Sequence, residues 1–543
     1  MSTPTVVLTN LTTWDAADAT TGWSQSGGGG LATYSGFNRE GTNCLGDQSG
    51  AANDWDAWHV GISSDLSNQR VYVWLAAFNS VDTKANGGFR IVLGDGTNRR
   101  SYYVGGSEDF GFQVGQWSCF VLDTANLPAN YNQLAGSAAP SLTAITEIGG
   151  GIRTTTKALG PVDNVYIDIV RHGTGLIVYG GSLADPITLS ELAADDASTA
   201  SGKAYGIIRE MQSGVFGVQG DIIWGDNAGT NALYWKDQDA VVVVEDHVHG
   251  TGTPTAINID VVANATHADQ HVELGVAIGT GDAQSGSNGV QFRNASTVQS
   301  VSMDFSDADL HELELYGCSL LLVSGGITFS DDATLGIAHR VSGTTFDDCG
   351  QIIINRVKIR NCFVNNYSGT VDGAILWNEN EDIANCDFIS NTRAIEHPAS
   401  GGSPYTWDNL VMTSNTYDAN NTSGSAITVN NLNGSNGSTS TGSAVSFKNT
   451  VTLKVTTRDP SGNLLEGIRV RIEDDPNGTL YAEGTTNASG VYQDTTYNYT
   501  VDEAVNVICR LKGFKYFRTK STIIITGLDV PVTMTPDGTV DLP

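Results

Sequence analysis

Short segments of similar sequence recur through the middle of the chain, and this repetition constrains the fold more than any other feature. Each segment places a few apolar residues around Asn, Cys, Gly or Ser, and successive segments begin 26, 18, 24 and 29 residues apart. A repeat of about two dozen residues predicts a solenoid, in which each coil stacks on its neighbours and equivalent apolar side chains form inward ladders. The segments begin at Leu315, Val341, Ile359, Ile383 and Met412.

Polar residues of the repeat are expected to join the same interior. Asn side chains are predicted to pair between coils at the turns. Cys318, Cys362 and Cys386 occupy similar places in their segments, which predicts that they fill small apolar slots. The chain has seven cysteines and no Cys-x-x-Cys pair, so a reduced, strand-filling role is expected rather than a disulfide framework.

The composition predicts an all-β chain of several domains. A length of 543 residues allows three or four separate cores. The chain holds 63 Gly and is rich in Thr, Ser, Asn, Asp and Val, which favour turns and strands over helix interiors. Short helices are predicted only near Asp185–Ser198 and Ser201–Gln212.

Residues 1–180 are predicted to form one β-sandwich. Strand-like runs alternate with turns, and Gly94–Asn98 is expected to be a hairpin loop. The last run alternates apolar and polar residues, which predicts a strand with one face in water. The pattern resembles the jelly-roll sandwich of lectins and carbohydrate-binding modules. The runs are Arg70–Phe78, Gly88–Leu93, Ser101–Val104, Trp117–Leu122 and Asn164–Val170.

The solenoid is assigned to residues 215–433, after a transitional segment at 181–214. It resembles the right-handed parallel β-helix of phage tailspikes and pectate-lyase-like proteins. That resemblance implies a homotrimer about the long axis. A polar stretch at 434–445, rich in Ser, Gly and Thr, is expected to be a flexible linker.

Residues 446–543 carry the most specific motif of the chain. They resemble the carboxypeptidase-regulatory-like and prealbumin-like sandwiches, an Ig-like architecture, which implies a spacer or adhesion domain without a catalytic set. The motif is a D-x-x-G, G-x-x-V and T-x-x-x-G progression formed by Asp459, Gly462, Gly467, Val470, Thr486 and Gly490.

The charge balance excludes some partners. A formal net charge of −31 repels nucleic acids and anionic membranes, so we expect no nucleic-acid partner. No stretch approaches the 18 apolar residues of a membrane span, so no membrane insertion is expected. We interpret the acidity as a solubility feature.

The first residues, MSTPTVVLTNLTTW, show neither the basic region nor the apolar region of a secretory signal. Such a Gly-, Asn- and Thr-rich β protein nevertheless resembles proteins that work outside a cell. A phage particle reconciles the two observations, because its components are made in the host cytoplasm and leave by lysis. We therefore expect the chain in a virion.

A polysaccharide-degrading version of such a protein would need paired carboxylates, or a base beside a cationic cluster. Candidates exist, but solvated side chains are the interpretation we favour in so acidic a chain. The acidic candidates are Asp304, Asp307, Asp309, Glu312 and Glu314, and Glu379, Glu381, Asp382 and Asp387; the cationic candidates are Arg356, Lys358 and Arg360.

The histidines provide one candidate metal half-site. On a strand, His247 and His249 would point the same way. His267 and His271 would need a helix, for which the intervening residues give little support. We favour structural roles for all four.

Four tryptophans of the first domain are candidates for stacking on sugar rings, because an indole presents an apolar face. They are Trp23, Trp55, Trp58 and Trp117. Core packing is the interpretation we favour, above all for Trp117, which lies in an apolar run.

No catalytic, cofactor-binding or metal-binding residue is assigned, and no cofactor is expected. The predicted function is a non-enzymatic structural or adhesion component of a tailed-phage virion, on the capsid surface or as a spike or fibre. Its expected partners are its own copies, other virion proteins and host surface glycans. The alternatives are a polysaccharide-degrading tailspike, either a hydrolase or a lyase, and a bacterial surface adhesin with an export or anchoring signal.

Overall fold

The structure is a computed structural model. It describes residues 3–27, 29–47, 54–109, 112–155, 165–182, 184–226, 231–246, 250–262, 271–275, 290–296, 298–305, 312–330, 340–355, 357–377, 383–401, 403–434 and 437–537. The chain divides into two compact units. The first comprises residues 1–280, 284–339 and 348–350, and the second comprises 281–283, 340–347 and 351–543.

The first unit begins with a sandwich of two antiparallel sheets. One sheet has the strand order β10-β7-β13-β5-β4, with β2 also paired to β13, and the other has the order β11-β9-β8-β12-β6-β3. Single turns of 3-10 helix occur at Lys84–Asn86, Thr124–Asn126 and Leu142–Ala144. The first strand of the chain, β1 (Thr5–Val7), lies outside the sandwich and pairs antiparallel with residues 177–179. The sandwich strands are β2 (Leu11–Asp15), β3 (Trp23–Gly27), β4 (Leu31–Tyr34), β5 (Cys44–Asp47), β6 (Asp54–Ser64), β7 (Arg70–Ala77), β8 (Phe89–Gly94), β9 (Arg99–Gly105), β10 (Trp117–Asp123), β11 (Tyr131–Ala135), β12 (Ile145–Arg153) and β13 (Val165–Gly173).

The two sheets enclose one apolar core. Along β7, the alternating residues Val71, Val73 and Leu75 lie in that core and are 0% exposed, as the two-residue period of a strand requires. The prediction that one face of β13 lies in water is wrong, because all nine residues of the strand are buried. Asp168 on that side accepts hydrogen bonds from the backbone N–H groups of Arg39 and Glu40 at 2.6 and 3.2 Å, so a neighbouring segment covers the polar face.

The segment after the sandwich contains one of the two predicted helices. Helix α1 spans Leu189–Asp196 and begins with a capping box between Thr188 and Glu191. The second predicted helix is wrong, since β15 (Ile208–Gln212) pairs with β16 (Val215–Val218) as an antiparallel hairpin. Its burial alternates along the strand. The all-β prediction is confirmed, because α1 is the one α-helix in the described part of the chain.

Three parallel sheets follow in the first unit. From β17 onward the chain visits them in strict rotation, and the pairs between their strands are parallel. One sheet contains β14, β17, β20, β23 and β26, another β18, β21 and β24, and the third β16, β19, β22 and β25. The added strands are β14 (Gly175–Tyr179), β17 (Asp221–Trp224), β18 (Tyr234–Asp237), β19 (Val241–Val244), β20 (Ile257–Val261), β21 (His271–Gly275), β22 (Gln291–Asn294), β23 (Val301–Phe305), β24 (Glu312–Tyr316), β25 (Ser319–Leu321) and β26 (Gly326–Ser330).

The second unit shows the same rotation through three parallel sheets from β27 to β39, after which β40 and β41 extend only two of the sheets. Part of the predicted linker at 434–445 is strand, because β40 pairs with β38. The strands are β27 (Arg340–Ser342), β28 (Thr345–Asp347), β29 (Ile352–Asn355), β30 (Lys358–Arg360), β31 (Phe363–Asn365), β32 (Ile375–Trp377), β33 (Ile383–Ala384), β34 (Asp387–Ile389), β35 (Arg393–His397), β36 (Tyr405–Asp408), β37 (Val411–Thr413), β38 (Tyr417–Asn421), β39 (Ile427–Leu432), β40 (Ser440–Gly442) and β41 (Val445–Lys448).

The register corrects the predicted repeat at its last member. Ile359 pairs with Ile383 as expected, but Met412 pairs with Phe388 in a different sheet. The place after Ile383 is taken by Trp407, because Ala384 pairs with the next residue, Asp408. The repeat after Ile383 therefore begins at Trp407, 24 residues later. The sequence pattern did not indicate this position because a large indole replaces the aliphatic residue of the earlier repeats.

Asn residues mark one turn of this repeat. Asn361, Asn385, Asn409 and Asn433 have φ angles of 54°, 54°, 51° and 56°, in the left-handed region that Asn tolerates better than most residues. The backbone N–H of Asn385 donates to Asp408 O at 2.9 Å, so inter-strand bonding continues through the turn. All seven cysteines are buried and none is joined in a disulfide. Cys44, Cys119 and Cys509 lie on strands as predicted, whereas Cys318, Cys349, Cys362 and Cys386 lie in turns between strands.

The second unit ends in another two-sheet sandwich. Its sheets have the orders β45-β42-β48 and β44-β43-β46-β47, and they enclose a separate apolar core. No helix among the described residues is long and apolar enough to cross a bilayer. The strands are β42 (Thr450–Arg458), β43 (Arg469–Asp474), β44 (Leu480–Thr485), β45 (Val491–Asn498), β46 (Glu503–Arg510), β47 (Phe517–Ile523) and β48 (Leu528–Thr533).

Residues of the C-terminal motif hold the turns of this sandwich. The Asp459 carboxylate accepts hydrogen bonds from the backbone N–H groups of Ser461 and Asn463 at 2.8 and 2.9 Å. Buried Thr486 donates to Leu465 O at 2.7 Å. At Gly490, with a φ of 66°, a Cβ would lie 2.7 Å from a backbone oxygen, so glycine is required there.

Candidate functional site

Two adjoining clefts of about 510 Å³ each lie in the first unit, between β10 of the sandwich and the α1–β15–β16 segment. They share four lining residues, and we call them together the junction groove. The shared residues are Ser118, Cys119, Arg209 and Gln219; the aromatic end adds Arg39, Trp74, Gln116, Trp117 and Glu210, and the charged end adds Lys84, Asp109, Glu245 and Asp246.

The floor of the aromatic end is fixed by hydrogen bonds. Trp74 lies on the outer face of β7, and its indole N–H donates to Ala204 O at 3.0 Å. The Arg39 guanidinium lies 4.4 Å from the centre of the Trp74 ring. Its Nη1 donates to Ala197 O and Ser198 O at 3.0 and 2.9 Å, just beyond α1. The Arg39 guanidinium is therefore engaged by backbone oxygens and by the Trp74 ring at the base of the aromatic end.

Trp117 forms the wall of the aromatic end. It stacks on Phe37, with ring centres 5.1 Å apart and planes at 17°. Phe37 in turn packs edge-on against Phe78 and Tyr166 at 4.8 and 5.2 Å. The Trp117 N–H has no hydrogen-bond partner among the described residues. The groove is therefore lined by a half-buried indole that is supported from behind and whose N–H is buried.

Titratable groups at the charged end are shifted by burial. Burial raises the pKa of Asp109 and of Glu245, and it lowers the pKa of Lys84. Arg209 opposes the shift of Glu245, since its Nε and Nη2 both lie 2.8 Å from Oε1. Asp109 accepts a hydrogen bond from the backbone N–H of Gly106. Both carboxylates are thus engaged within the protein, and the geometry supports binding better than acid–base catalysis.

Among the predicted carboxylates, Asp304 lies on β23 directly across from Asp260 on β20. Burial, followed by the charge of Asp304, raises the pKa of Asp260 to about 6. The sequence analysis did not single out Asp260. Asp387 lies on β34, and burial raises its pKa.

Four of the other predicted polar residues lie on two described strands. Glu312 and Glu314 belong to β24. Lys358 and Arg360 alternate with buried Ile359 on β30, which confirms their common face. Outside the described residues lie Asp307, Asp309, Glu379, Glu381, Asp382 and Arg356.

The histidines show no metal site in the described part of the chain, where no group of three potential ligands occurs. His271 lies on strand β21 rather than on the helix that its pairing with His267 would need. Its ring stacks on Tyr234 with centres 5.3 Å apart. His247, His249 and His267 lie outside the described residues.

The tryptophans divide between core and groove. Trp23, Trp55 and Trp58 are 8%, 1% and 7% exposed, which agrees with core packing. Trp117 departs from the expected core position. It pairs with Ala76 on the outer face of the sheet, because the two-residue period sends Phe120 and Leu122 inward.

Sequence reasoning missed most of the groove. Lys84, Arg209 and Glu245 come from three distant segments, and no spacing links them before the chain folds. No protein-family model matches the chain, and a search of the curated proteins finds no match.

Proposed function

We propose that this chain is a non-enzymatic structural and adhesion component of a tailed-phage particle, on the capsid surface or in a spike or fibre. The observation that carries the proposal is the rotation of the chain through three parallel sheets, which is strict from β17 to β26 in the first unit and from β27 to β39 in the second. Stacked coils of this kind provide a rigid support. Domains docked to such a support can present a binding surface.

The finer architecture is part of the proposal. We interpret the parallel sheets as a right-handed parallel β-helix, and the first sandwich as a jelly roll of the lectin type. The last domain is interpreted as a carboxypeptidase-regulatory-like sandwich, supported by the structural roles of Asp459, Thr486 and Gly490. A homotrimer is proposed from the β-helix resemblance, and light scattering should give three times the 57.3 kDa chain mass.

A rigid joint within the first unit supports an adhesion role. Arg70 of the sandwich is fully buried and forms an ion pair with Asp221 of β17 at 3.2 Å. Its Nη2 also donates to Thr255 O and Ala256 O at 2.7 and 2.6 Å. On the sandwich side, Asp123 accepts a hydrogen bond from the Thr255 N–H at 2.6 Å. The sandwich is therefore fixed to the parallel sheets by buried polar contacts rather than by a free tether.

A polysaccharide-degrading tailspike is the second candidate, and one observation favours it. Asp260 and Asp304 lie in register on adjacent strands, and the pKa of Asp260 is raised to about 6. Glycoside hydrolysis uses two carboxyl groups, one of which has a raised pKa and acts as the general acid. If this candidate is correct, capsular polysaccharide incubated with the protein should release reducing ends or unsaturated products, and Asp304→Asn should abolish the release.

The proposal is tested by fractionating a phage lysate that contains the chain. We expect it to sediment with intact particles through a density gradient and to remain there after a high-salt wash. A chain recovered only in the soluble fraction would overturn the proposal. A chain recovered with the host envelope before lysis would instead favour the bacterial adhesin.

A further inference from the structure

We propose that the junction groove binds a neutral oligosaccharide, with Trp117 as the stacking platform. This inference deepens the proposed adhesion function and rests on it for the biological source of the ligand. The source considered is a glycan of the host surface.

The Trp117 platform is preformed in the protein without a ligand. Phe37 lies parallel behind the Trp117 indole and is itself wedged against Phe78 and Tyr166. A rigid indole loses little conformational entropy on binding, and its apolar face suits the C–H surface of a sugar ring. The N–H of Trp117 is itself buried, so the platform offers a ligand the apolar face of its ring.

The size of the groove favours more than one sugar ring. Each end measures about 510 Å³, and a volume of roughly 300–1,000 Å³ is usual for a single small-molecule site. The two ends adjoin at Ser118, Cys119, Arg209 and Gln219, which line both. A chain of sugars long enough to pass these four residues would place rings in both ends.

Polar groups suited to hydroxyls surround the platform. Gln116 is exposed at the rim beside Trp117, and its amide offers both donors and an acceptor. Glu210 is exposed on the opposite side of the aromatic end and offers acceptors. Neutral sugars present hydroxyls that satisfy both kinds of group.

The charges select against anionic glycans. The lining has three cationic residues, Arg39, Lys84 and Arg209, and five acidic ones. Arg39 is bound by backbone oxygens and Arg209 by Glu245, so neither cation is open to a carboxylate ligand. The chain as a whole carries a net charge of −31, which adds a repulsive field for polyanions.

The test is binding of the full-length protein to neutral hexasaccharides of glucose, mannose, galactose and N-acetylglucosamine, and to oligogalacturonate as the anionic probe. We expect calorimetry to detect at least one neutral hexasaccharide, with an affinity that changes little between low and high salt. Trp117→Ala should weaken binding by about tenfold or more, equal to roughly 1.4 kcal/mol.

Two further variants keep the test decisive if Trp117→Ala disturbs folding. Ala194→Trp adds bulk at an exposed position of α1 that lines the groove, and it should block binding without removing a core contact. Tyr131→Ala is the matched control. Tyr131 is an exposed aromatic residue on β11, in the opposite sheet, and its ring lies under the Arg100 guanidinium. It should leave the affinity unchanged.

Three results would overturn the inference: no neutral hexasaccharide binds, oligogalacturonate binds more tightly, or Ala194→Trp leaves binding intact. These outcomes are separate from the particle test. A protein that sediments with particles but binds no sugar would refute only the groove assignment. A protein that binds sugar through Trp117 but is absent from particles would refute only the virion proposal.

Discussion

The first sandwich and the parallel sheets of the second unit bury polar groups by different means. The sandwich buries whole arginines: Arg70, Arg90 and Arg171 are at most 1% exposed, and each forms an ion pair with a carboxylate. The parallel sheets of the second unit use amides. Asn391 is also 1% exposed, and its side chain bonds to Asn415 Oδ1 at 3.1 Å and to Val364 O at 2.8 Å.

The two strategies differ in how far apart the partners lie along the chain. Arg171 and Glu40 are 131 residues apart, and Arg70 and Asp221 are 151 apart. Asn391 and Asn415 are 24 residues apart, which is one coil. A buried ion pair requires both partners to be present and in place, because either charge alone is strongly unfavourable in a dry site. A repeated amide bond spreads the same task over many smaller contributions.

Removal of one sandwich arginine is expected to have the largest effect. Arg70→Met removes the cation that pairs with Asp221 and the donor of three hydrogen bonds to backbone oxygens. We expect a loss of about 4 kcal/mol in the unfolding free energy of the first unit, because a buried charge loses its partner. Hydrogen exchange of β7 and β17 would measure it. Adding Asp221→Asn should restore part of the loss, and a single-variant loss below about 1 kcal/mol would contradict the account.

Acid is expected to lower the stability of the second unit through protonation of His397. This histidine is 0% exposed, its ring nitrogens have no hydrogen-bond partner among the described residues, and burial lowers its pKa to about 3. The unfolded chain, with an ordinary pKa near 6.5, binds the proton more readily. The neutral ring's contribution is therefore complete above about pH 6.5 and is lost progressively as the pH falls toward 3.

We expect this loss to reach about 2 kcal/mol by pH 4.5. His397→Phe keeps a planar ring beside Tyr405 and Trp407, which lie 4.2 and 5.9 Å away between ring centres, but it cannot take up a proton. Urea unfolding of the second unit at several pH values should show a shallower decline for the variant. Parallel pH profiles for the variant and the parent would rule out His397 as the cause.

The amide strategy predicts a moderate effect at each position. Asn391→Ala leaves the Tyr367 N–H and Val364 O without their side-chain partner, at a cost of about 2 kcal/mol. Thr413→Ala, an exposed position on β37, is the control and should change stability by less than about 0.5 kcal/mol. Equal effects of the two substitutions in chemical denaturation would show that the buried amides are dispensable.

The turn residues should show the smallest effect. Asn409 has a φ of 51° and is half-buried. Asn409→Ala and Asn409→Gly both lose its 2.9 Å hydrogen bond to Asn385, but only alanine is strained in the left-handed region. We expect the glycine variant to be more stable by about 1 kcal/mol in thermal unfolding. An alanine variant as stable as the glycine variant would indicate that the turn relaxes.

The same difference in partner distance explains what the sequence predicted. The all-β class and α1 follow from composition and local pattern, and the short repeat is visible because its contacts recur every coil. The last repeat was misplaced because Trp407 and Leu410 stand where earlier coils have Ile383 and Cys386. The groove could not be predicted, since Lys84, Arg209 and Glu245 meet only after folding. Trp117 was predicted to pack in the core because it lies in an apolar run, and nothing in that run indicated that it faces outward.

Electron cryo-microscopy of purified particles tests the central claim most directly. The atomic coordinates of the first sandwich and of the parallel sheets would each be fitted separately into the surface density. The proposal predicts ordered density for both at the capsid surface or in a tail spike or fibre, and labelling with an antibody against this chain should mark the same place. Particles whose density is fully explained by other proteins, and which the antibody fails to label, would contradict it.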